Sequence, residues 1–331
     1  MRAMRLNQTR PAEENPLSLE DLPIPSPAEG EIRLKVRACG VCHTDLHIVE
    51  GDLDLPHLPI VPGHQIVATV DSLGKGVTQF RVGERVGVPW LYDACGRCHY
   101  CRSGRENLCD SIRFTGFHVD GGFAEYMVVP SIFAYRIPDG FPDAQAAPLL
   151  CAGIIGYRSL CLCEVESGQN LGLYGFGASA HVAIQIAHHW GCKVFVFSRS
   201  TEHRQHAREL GAFWAGEAQD TPPELLHSSI TFAPAGWLVP VALSHLHKGG
   251  TLAINAIHST PIPKFDYPLI YGERTVRSVA NSTRRDAEEL LQLAAEISIH
   301  TDVELYSLSE VNQVLQRIKR SEIRGAAVVS I

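Results

Sequence analysis

No stretch of this sequence approaches the 18 or so consecutive apolar residues of a membrane-spanning helix. The best run, residues 146–157, is too short and is interrupted by glycines. There is no basic excess either: 29 Lys and Arg stand against 36 Asp and Glu, a net charge of −7. Nucleic-acid binders need a positive footprint, so that class is set aside, and a membrane partner with it. The opening MRAMRLNQTRPAEENPL has arginines but no apolar stretch behind them, and so does not read as a secretory signal. No internal repeat, low-complexity tract or HExxH helix is found. What is present is a 45% hydrophobic content over 331 residues, enough for a sizeable core. At roughly 150 residues per domain, that length suggests about two domains. Ten cysteines and sixteen histidines are the unusual counts. Without an export signal the expected location is the cytoplasm, where thiols stay reduced and clustered cysteines read as metal ligands.

The first 150 residues look β-rich. Residues 31–38 (EIRLKVRA) alternate polar and apolar, the period of a half-buried strand, and short strand-like runs follow at 66–70, 85–90 and 124–129. From about residue 168 the pattern changes. Strands are expected at 170–174 (NLGLY), 193–198 (KVFVFS), 228–233 (SSITFA) and 251–257 (TLAINAI), with helices at 180–190, 203–211 and 238–250 between them. Strand and helix in alternation is the signature of a doubly wound parallel sheet. Amphipathic helices at 286–296 and 308–320 and a closing strand end the chain. The expected organisation is a β-rich domain over 1–151, joined by the returning segment 285–331, and a doubly wound α/β domain over 152–284.

Cys95, Cys98, Cys101 and Cys109 fall within CGRCHYCRSGRENLC. Zinc takes four soft ligands at tetrahedral corners, and two-residue gaps let a tight turn aim successive thiolates at one point. So short a segment has no core of its own, so the metal supplies the ordering free energy. Four protein ligands leave no open position, which makes this a structural site. Arg97, Arg102 and Arg105 stand in the same loop to offset its formal −2.

A looser set comprises Cys42 in GVCHTDLH, His64 in VPGHQ and Cys151 in APLLCAG. Two thiolates, one imidazole and a fourth position left to substrate match a catalytic zinc. By spacing alone, three scattered residues are weak evidence, and a satisfied histidine with two buried thiols is the commoner reading. A third motif, Gly175-Phe-Gly177-Ala-Ser-Ala180, lies between an expected strand and an expected helix. Gly175 permits a tight turn, Gly177 lets the backbone approach a pyrophosphate, and Ala180 is small enough for close helix–strand packing. The anion would sit at the helix N-terminus. Cys39, Cys161, Cys163 and Cys192 read as small buried hydrophobes, and His188, His189, His245 and His247 as helix-surface residues.

In the order of these motifs the whole chain resembles the zinc-dependent alcohol dehydrogenases of the medium-chain dehydrogenase/reductase family, its microbial branch in particular. The resemblance implies a GroES-like β-rich catalytic domain plus a Rossmann domain, with the active site in the cleft between. It implies two zinc ions per chain, one on Cys42, His64 and Cys151 and one on the four-cysteine loop. Thr44 and His47 would form a proton relay, with His43 against the cofactor pyrophosphate and Arg324 on a cofactor phosphate. Asp45 would orient the ligand histidine. Gln65 departs from the pattern, since the family usually has Glu there; a neutral amide cannot lend charge to the metal during ligand exchange. A homodimer or homotetramer is implied, with 255–277 as the subunit-contact region.

The implied reaction moves hydride between a small alcohol or aldehyde and a nicotinamide cofactor. Metal binding lowers a water pKa from 15.7 to about 7, a larger effect than the 10²–10⁴-fold or so of a lone general base. Trp90, in GVPWL, matches a family position lining the pocket and would favour primary over bulky secondary alcohols. The second strand of the α/β domain ends at Ser198 followed by Arg199, with Arg204 a turn on and no carboxylate before Glu202. A hydroxyl and a guanidinium suit a 2′-phosphate, so NADP(H) is expected over NAD(H). The alternatives are an NADPH-dependent reductase of bulkier aldehydes, resembling cinnamyl alcohol dehydrogenases, and a noncatalytic zinc-stapled binding protein.

Overall fold

The structure is a computed structural model and describes every residue from Met1 to Ile331. It forms two compact units: Met1–Cys151 with Asn281–Glu296 and His300–Ile331, and Ala152–Ala280 with Ile297–Ile299. The returning segment therefore starts at Asn281 rather than 285, and 297–299 stay with the second unit.

In the first unit a sheet runs in the order Val303–Ser307, Ala326–Ser330, Glu31–Val41, Gln65–Leu73, Arg85–Val88, Tyr135–Arg136, with Tyr126–Pro130 also paired to Glu31–Val41. The alternation of 31–38 puts Ile32, Leu34 and Val36 inside and Lys35 and Arg37 outside. From Ala38 to Val41 every residue is buried, so the strand outlasts its own sequence signal. The antiparallel ladder pairs Gly40 with Gln65, which brings the chain just past one strand beside the chain just before the other. Cys42 and His64 occupy those two places. Behind the sheet, Val311, Val314, Leu315 and Ile318 of the helix Val311–Lys319 are buried at helical spacing in the same core. Two small antiparallel pairs complete the unit's β structure: Leu91–Asp93 with Arg113–Phe114, and an N-terminal pair, Arg2–Leu6 with Leu17–Asp21, in a region the periodicity leaves silent.

The second unit is a six-stranded, all-parallel sheet in the order Trp214–Gly216, Lys193–Phe197, Asn170–Tyr174, Leu226–Thr231, Leu246–Ile254, Thr275–Ser278. Numbered along the chain this is 3-2-1-4-5-6, the Rossmann order, with its switch point beside the strand that carries the glycine motif. The helix expected over 238–250 is only Leu238–Ser244; Leu246 is fully buried and already pairs with Leu226 in the sheet. Apolar residues in LVPVALSHLH fit a helical period across a boundary that strand pairing decides. Cys39, Cys163 and Cys192 are buried, but Cys161 is exposed, contrary to expectation. His245 caps its helix half-buried, accepting or donating at 2.7 Å to the Tyr174 hydroxyl, and His247 lies on a strand. No single helix is long and apolar enough to cross a membrane.

Candidate active site and metal centres

Cys42 stands at the N-cap of the helix His43–Glu50. Nothing in the periodicity announces that helix, because a thiol replaces the usual Ser, Thr, Asp or Asn marker. Asp45, in its first turn, is fully buried. One carboxylate oxygen accepts the Cys42 N–H at 2.9 Å; the other accepts from His64 Nδ1 at 3.0 Å and from the Gly63 N–H at 3.3 Å. A carboxylate here can only accept, so Nδ1 carries a hydrogen, which leaves His64 Nε2, 3.4 Å from Cys42 Sγ, as the nitrogen available to a metal. Cys151 arrives from the turn after Ala147–Leu150, and the ligand atoms of Cys42, His64 and Cys151 all lie within 4.8 Å of one another.

The electrostatics suit a cation. A hydrogen bond from Cys151, helped by His64, holds the Cys42 thiol well below its ordinary range against the effect of burial. The same contact, with burial, pushes Cys151 up. Burial would lower His64, but the Asp45 carboxylate and the Cys42 sulfur outweigh it and raise it to about 10. Burial raises Asp45, with His64 opposing. A divalent metal would bind Cys151 and His64 in their deprotonated forms, at the cost of releasing protons. Two sulfurs and an imidazole in a converging set are a fitting donor set for zinc.

The second cluster gathers Cys95, Cys98, Cys101 and Cys109, again with all sulfurs within 4.8 Å. The Cys98 N–H is donated to Cys95 Sγ at 3.4 Å and the Cys101 N–H to Cys98 Sγ at 3.5 Å. Backbone N–H groups of Arg97 and Cys98 bring Cys95 down to about 6. Backbone dipoles thus favour the thiolate, while the Arg105 guanidinium, expected to offset the loop's charge, points instead at Ser103 and His99, at 3.2 and 3.0 Å. Buried Glu106 ties the loop to the helix Arg284–Ile297 by accepting the Arg284 N–H at 2.8 Å.

Trp90 is 8% exposed and meets the His64 ring edge-on at 4.9 Å between centroids. Phe114 stacks on it at 4.8 Å, and Phe117 leans on it at 5.8 Å. These two phenylalanines carry no sequence signal, since only folding stacks them on Trp90. Gln65 is buried across the ladder from Gly40. Thr44 and His47 are three residues apart on the helix that starts at Cys42, with His43 exposed beside them. Arg324 is exposed near the C-terminus, its backbone N–H donated to Glu304 at 2.9 Å.

In the second unit, Gly175 has a φ of +92° and sits against Ala233, so an L side chain is excluded twice over. A Cβ on Gly177, by contrast, would meet nothing within 4 Å: the space above it is open. The helix Ala178–His189 starts directly after it, two residues earlier than expected, with Ala180 fully buried. Ser198 follows the second strand, its hydroxyl accepting the Ser200 N–H at 3.3 Å. Arg199 is exposed there, whereas the Arg204 guanidinium is engaged by the Ser198 carbonyl at 2.6 Å and by Glu217 at 3.3 Å.

Residues 28–139 match the alcohol dehydrogenase GroES-like domain family, and residues 180–296 the zinc-binding dehydrogenase family. The chain is 44% identical to a probable alcohol dehydrogenase AdhA of Mycobacterium tuberculosis (strain CDC 1551 / Oshkosh), over 100% of this chain and 97% of that protein. It is 36% identical to an alcohol dehydrogenase of Geobacillus stearothermophilus, over 100% and 99%. Among solved structures, a cinnamyl alcohol dehydrogenase from Sorghum bicolor superimposes with a TM-score of 0.92 at 30% identity, over 99% of this chain and 97% of that one.

Proposed function

The chain belongs to the zinc-dependent alcohol dehydrogenases of the medium-chain dehydrogenase/reductase family, and from that premise we propose which of its residues perform the reaction and on what. It is a zinc-binding, NAD(P)-dependent enzyme that transfers hydride between an alcohol or aldehyde and the nicotinamide. The observation that carries the assignment is the convergence of Cys42, His64 and Cys151 within 4.8 Å, with Asp45 bracing two of them from behind. These three would hold the catalytic zinc, which when bound supplies Lewis acidity at the substrate oxygen worth several kcal/mol.

The chain's own groups do the rest. Asp45 keeps His64 in the ligating tautomer. Thr44 and His47, on one helix face, carry the alcohol proton toward solvent. The Gly177 backbone and the start of the helix Ala178–His189 receive the cofactor pyrophosphate, with His43 and Arg324 as further phosphate contacts. Cys95, Cys98, Cys101 and Cys109 would hold a structural zinc.

Trp90 supports a preference for primary alcohols and aldehydes: Phe114 backs its indole, so the ring is held beside His64. The likeness to the sorghum enzyme favours a second reading, bulkier aldehydes such as the cinnamyl type. Ser198 and exposed Arg199 support NADP(H) over NAD(H). The edge strand Thr275–Ser278, with Val276 exposed, supports a homodimer or a tetramer built from it. Thiolate ligands at both metal sites suit a reducing compartment, the cytoplasm.

Metal analysis of enzyme purified without chelator should return two zinc ions per chain, one for each cluster. Cys42→Ser should retain the structural ion and abolish alcohol-dependent cofactor reduction. Undiminished turnover in Cys42→Ser would refute the assignment.

A further inference from the structure

His47 lies in the last turn of the helix His43–Glu50. The helix closes at Gly51, whose φ of +80° is a conformation that favours glycine and whose N–H is donated to the carbonyls of His47 and Ile48. The next N–H, that of Asp52, is donated to the His47 carbonyl at 3.0 Å. The reversal brings the Asp52 side chain back over the turn it has just left. Asp52 Oδ2 stands 2.7 Å from His47 Nδ1.

The ionised carboxylate has only lone pairs to offer, so Nδ1 carries the hydrogen and Nε2 the lone pair. That is the tautomer required of a ring that accepts a proton on Nε2. The His47 side chain is 14% exposed and that of Asp52 is 42%, so the pair spans the boundary between interior and solvent. The arrangement is written in six consecutive residues, His47-Ile-Val-Glu-Gly-Asp52, and needs no distant contact to form.

We propose that Asp52 is a positioning residue for the dehydrogenase reaction, holding His47 in the Nδ1–H tautomer so that Nε2 receives the proton released from the alcohol. The inference rests on the relay role given to His47 above. One proton moves onto Nε2, and the imidazolium has the Asp52 carboxylate as its counter-charge. The ring later gives one proton to water, and Asp52 stays ionised throughout. No carbon bond changes in this step.

The test is a double-mutant cycle read by rapid mixing, following the single-turnover rate of cofactor reduction at saturating alcohol. Asp52→Asn, near-isosteric on a half-exposed side chain, should slow that rate about tenfold, less than the 100-fold or more that losing a general base costs. Zinc content and KM for the cofactor should not move, and Asp52→Glu should recover part of the rate. His47→Gln should be slower still, and the double variant no slower than His47→Gln alone. Imidazole added as a soluble base should accelerate both single variants in proportion to its concentration, which a merely structural defect would not allow. If His47→Gln is impaired while Asp52→Asn runs at the wild-type rate, or costs the same factor in both backgrounds, Asp52 has no such role. A wild-type rate in His47→Gln removes the relay itself, a separate outcome.

Discussion

Asp45 shows how much one side chain can organise. Fully buried, it accepts three N–H bonds and so links the residue before the helix to the residues before the strand. Trp90 acts at the same scale. Its indole packs edge-on against His64 and stacks with Phe114, so in the proposed pocket the space it would deny to substrate is fixed by packing. Trp90→Ala should raise the kcat/KM for secondary relative to primary alcohols about tenfold or more, since one methylene of fit is worth about 1–3 kcal/mol. An unchanged ratio across an alcohol panel would mean that the indole does not face substrate. Arg199 is the residue to which the proposed preference for NADP(H) is assigned. Arg204 is held by Ser198 and Glu217, which leaves Arg199 as the exposed guanidinium at the strand end. Arg199→Ala should lower kcat/KM for NADP(H) about ten- to hundredfold, the worth of a charged hydrogen bond of about 1.5–3 kcal/mol. Kinetics with NAD(H) should barely move. Wild-type enzyme favouring NAD(H) tenfold would contradict the assignment.

Among the elements, the ladder between Glu31–Val41 and Gln65–Leu73 sets the catalytic cluster. Its register pairs Gly40 with Gln65, and a slip of one residue would part Cys42 from His64. The four-cysteine loop works differently. Its ligands lie within one short segment, so the loop's own turns aim the sulfurs, and Glu106 with Arg284 anchors the result. Thr275–Ser278 ends the parallel sheet with one side unpaired, and exposed edges of this kind pair with another chain unless they are blocked. In the proposed homodimer this strand would meet its own copy around a two-fold axis, in antiparallel register. Val276→Lys should therefore shift the mass measured by light scattering toward the monomer while leaving both zinc ions in place. A wild-type mass equal to the monomer's would rule out the interface.

For the molecule as a whole, sequence legibility follows the range of the interactions involved. The strand, glycine turn, helix and second strand from Asn170 to Phe197 were legible because buried parallel strands are apolar runs and the turn needs Gly175 at positive φ. The four-cysteine loop was legible because its spacing is its geometry. The helix His43–Glu50, the hairpin at the N-terminus and the end of the helix Leu238–Ser244 were not, since an unusual cap, distant pairing and sheet register decide them. Cys42, His64 and Cys151 were individually ambiguous, and only motif resemblance joined them before folding did. By itself the sequence determined the alternating α/β pattern, the local metal loop and the fingerprint turn, all made by residues near one another in the chain. Tertiary structure alone decided that Asp45, bonded to the Cys42 N–H within its own turn, would also meet His64, and that Phe114 would stack on Trp90 beside His64. Those contacts join segments that nothing local brings together, and only strand register and core packing set the distance between them.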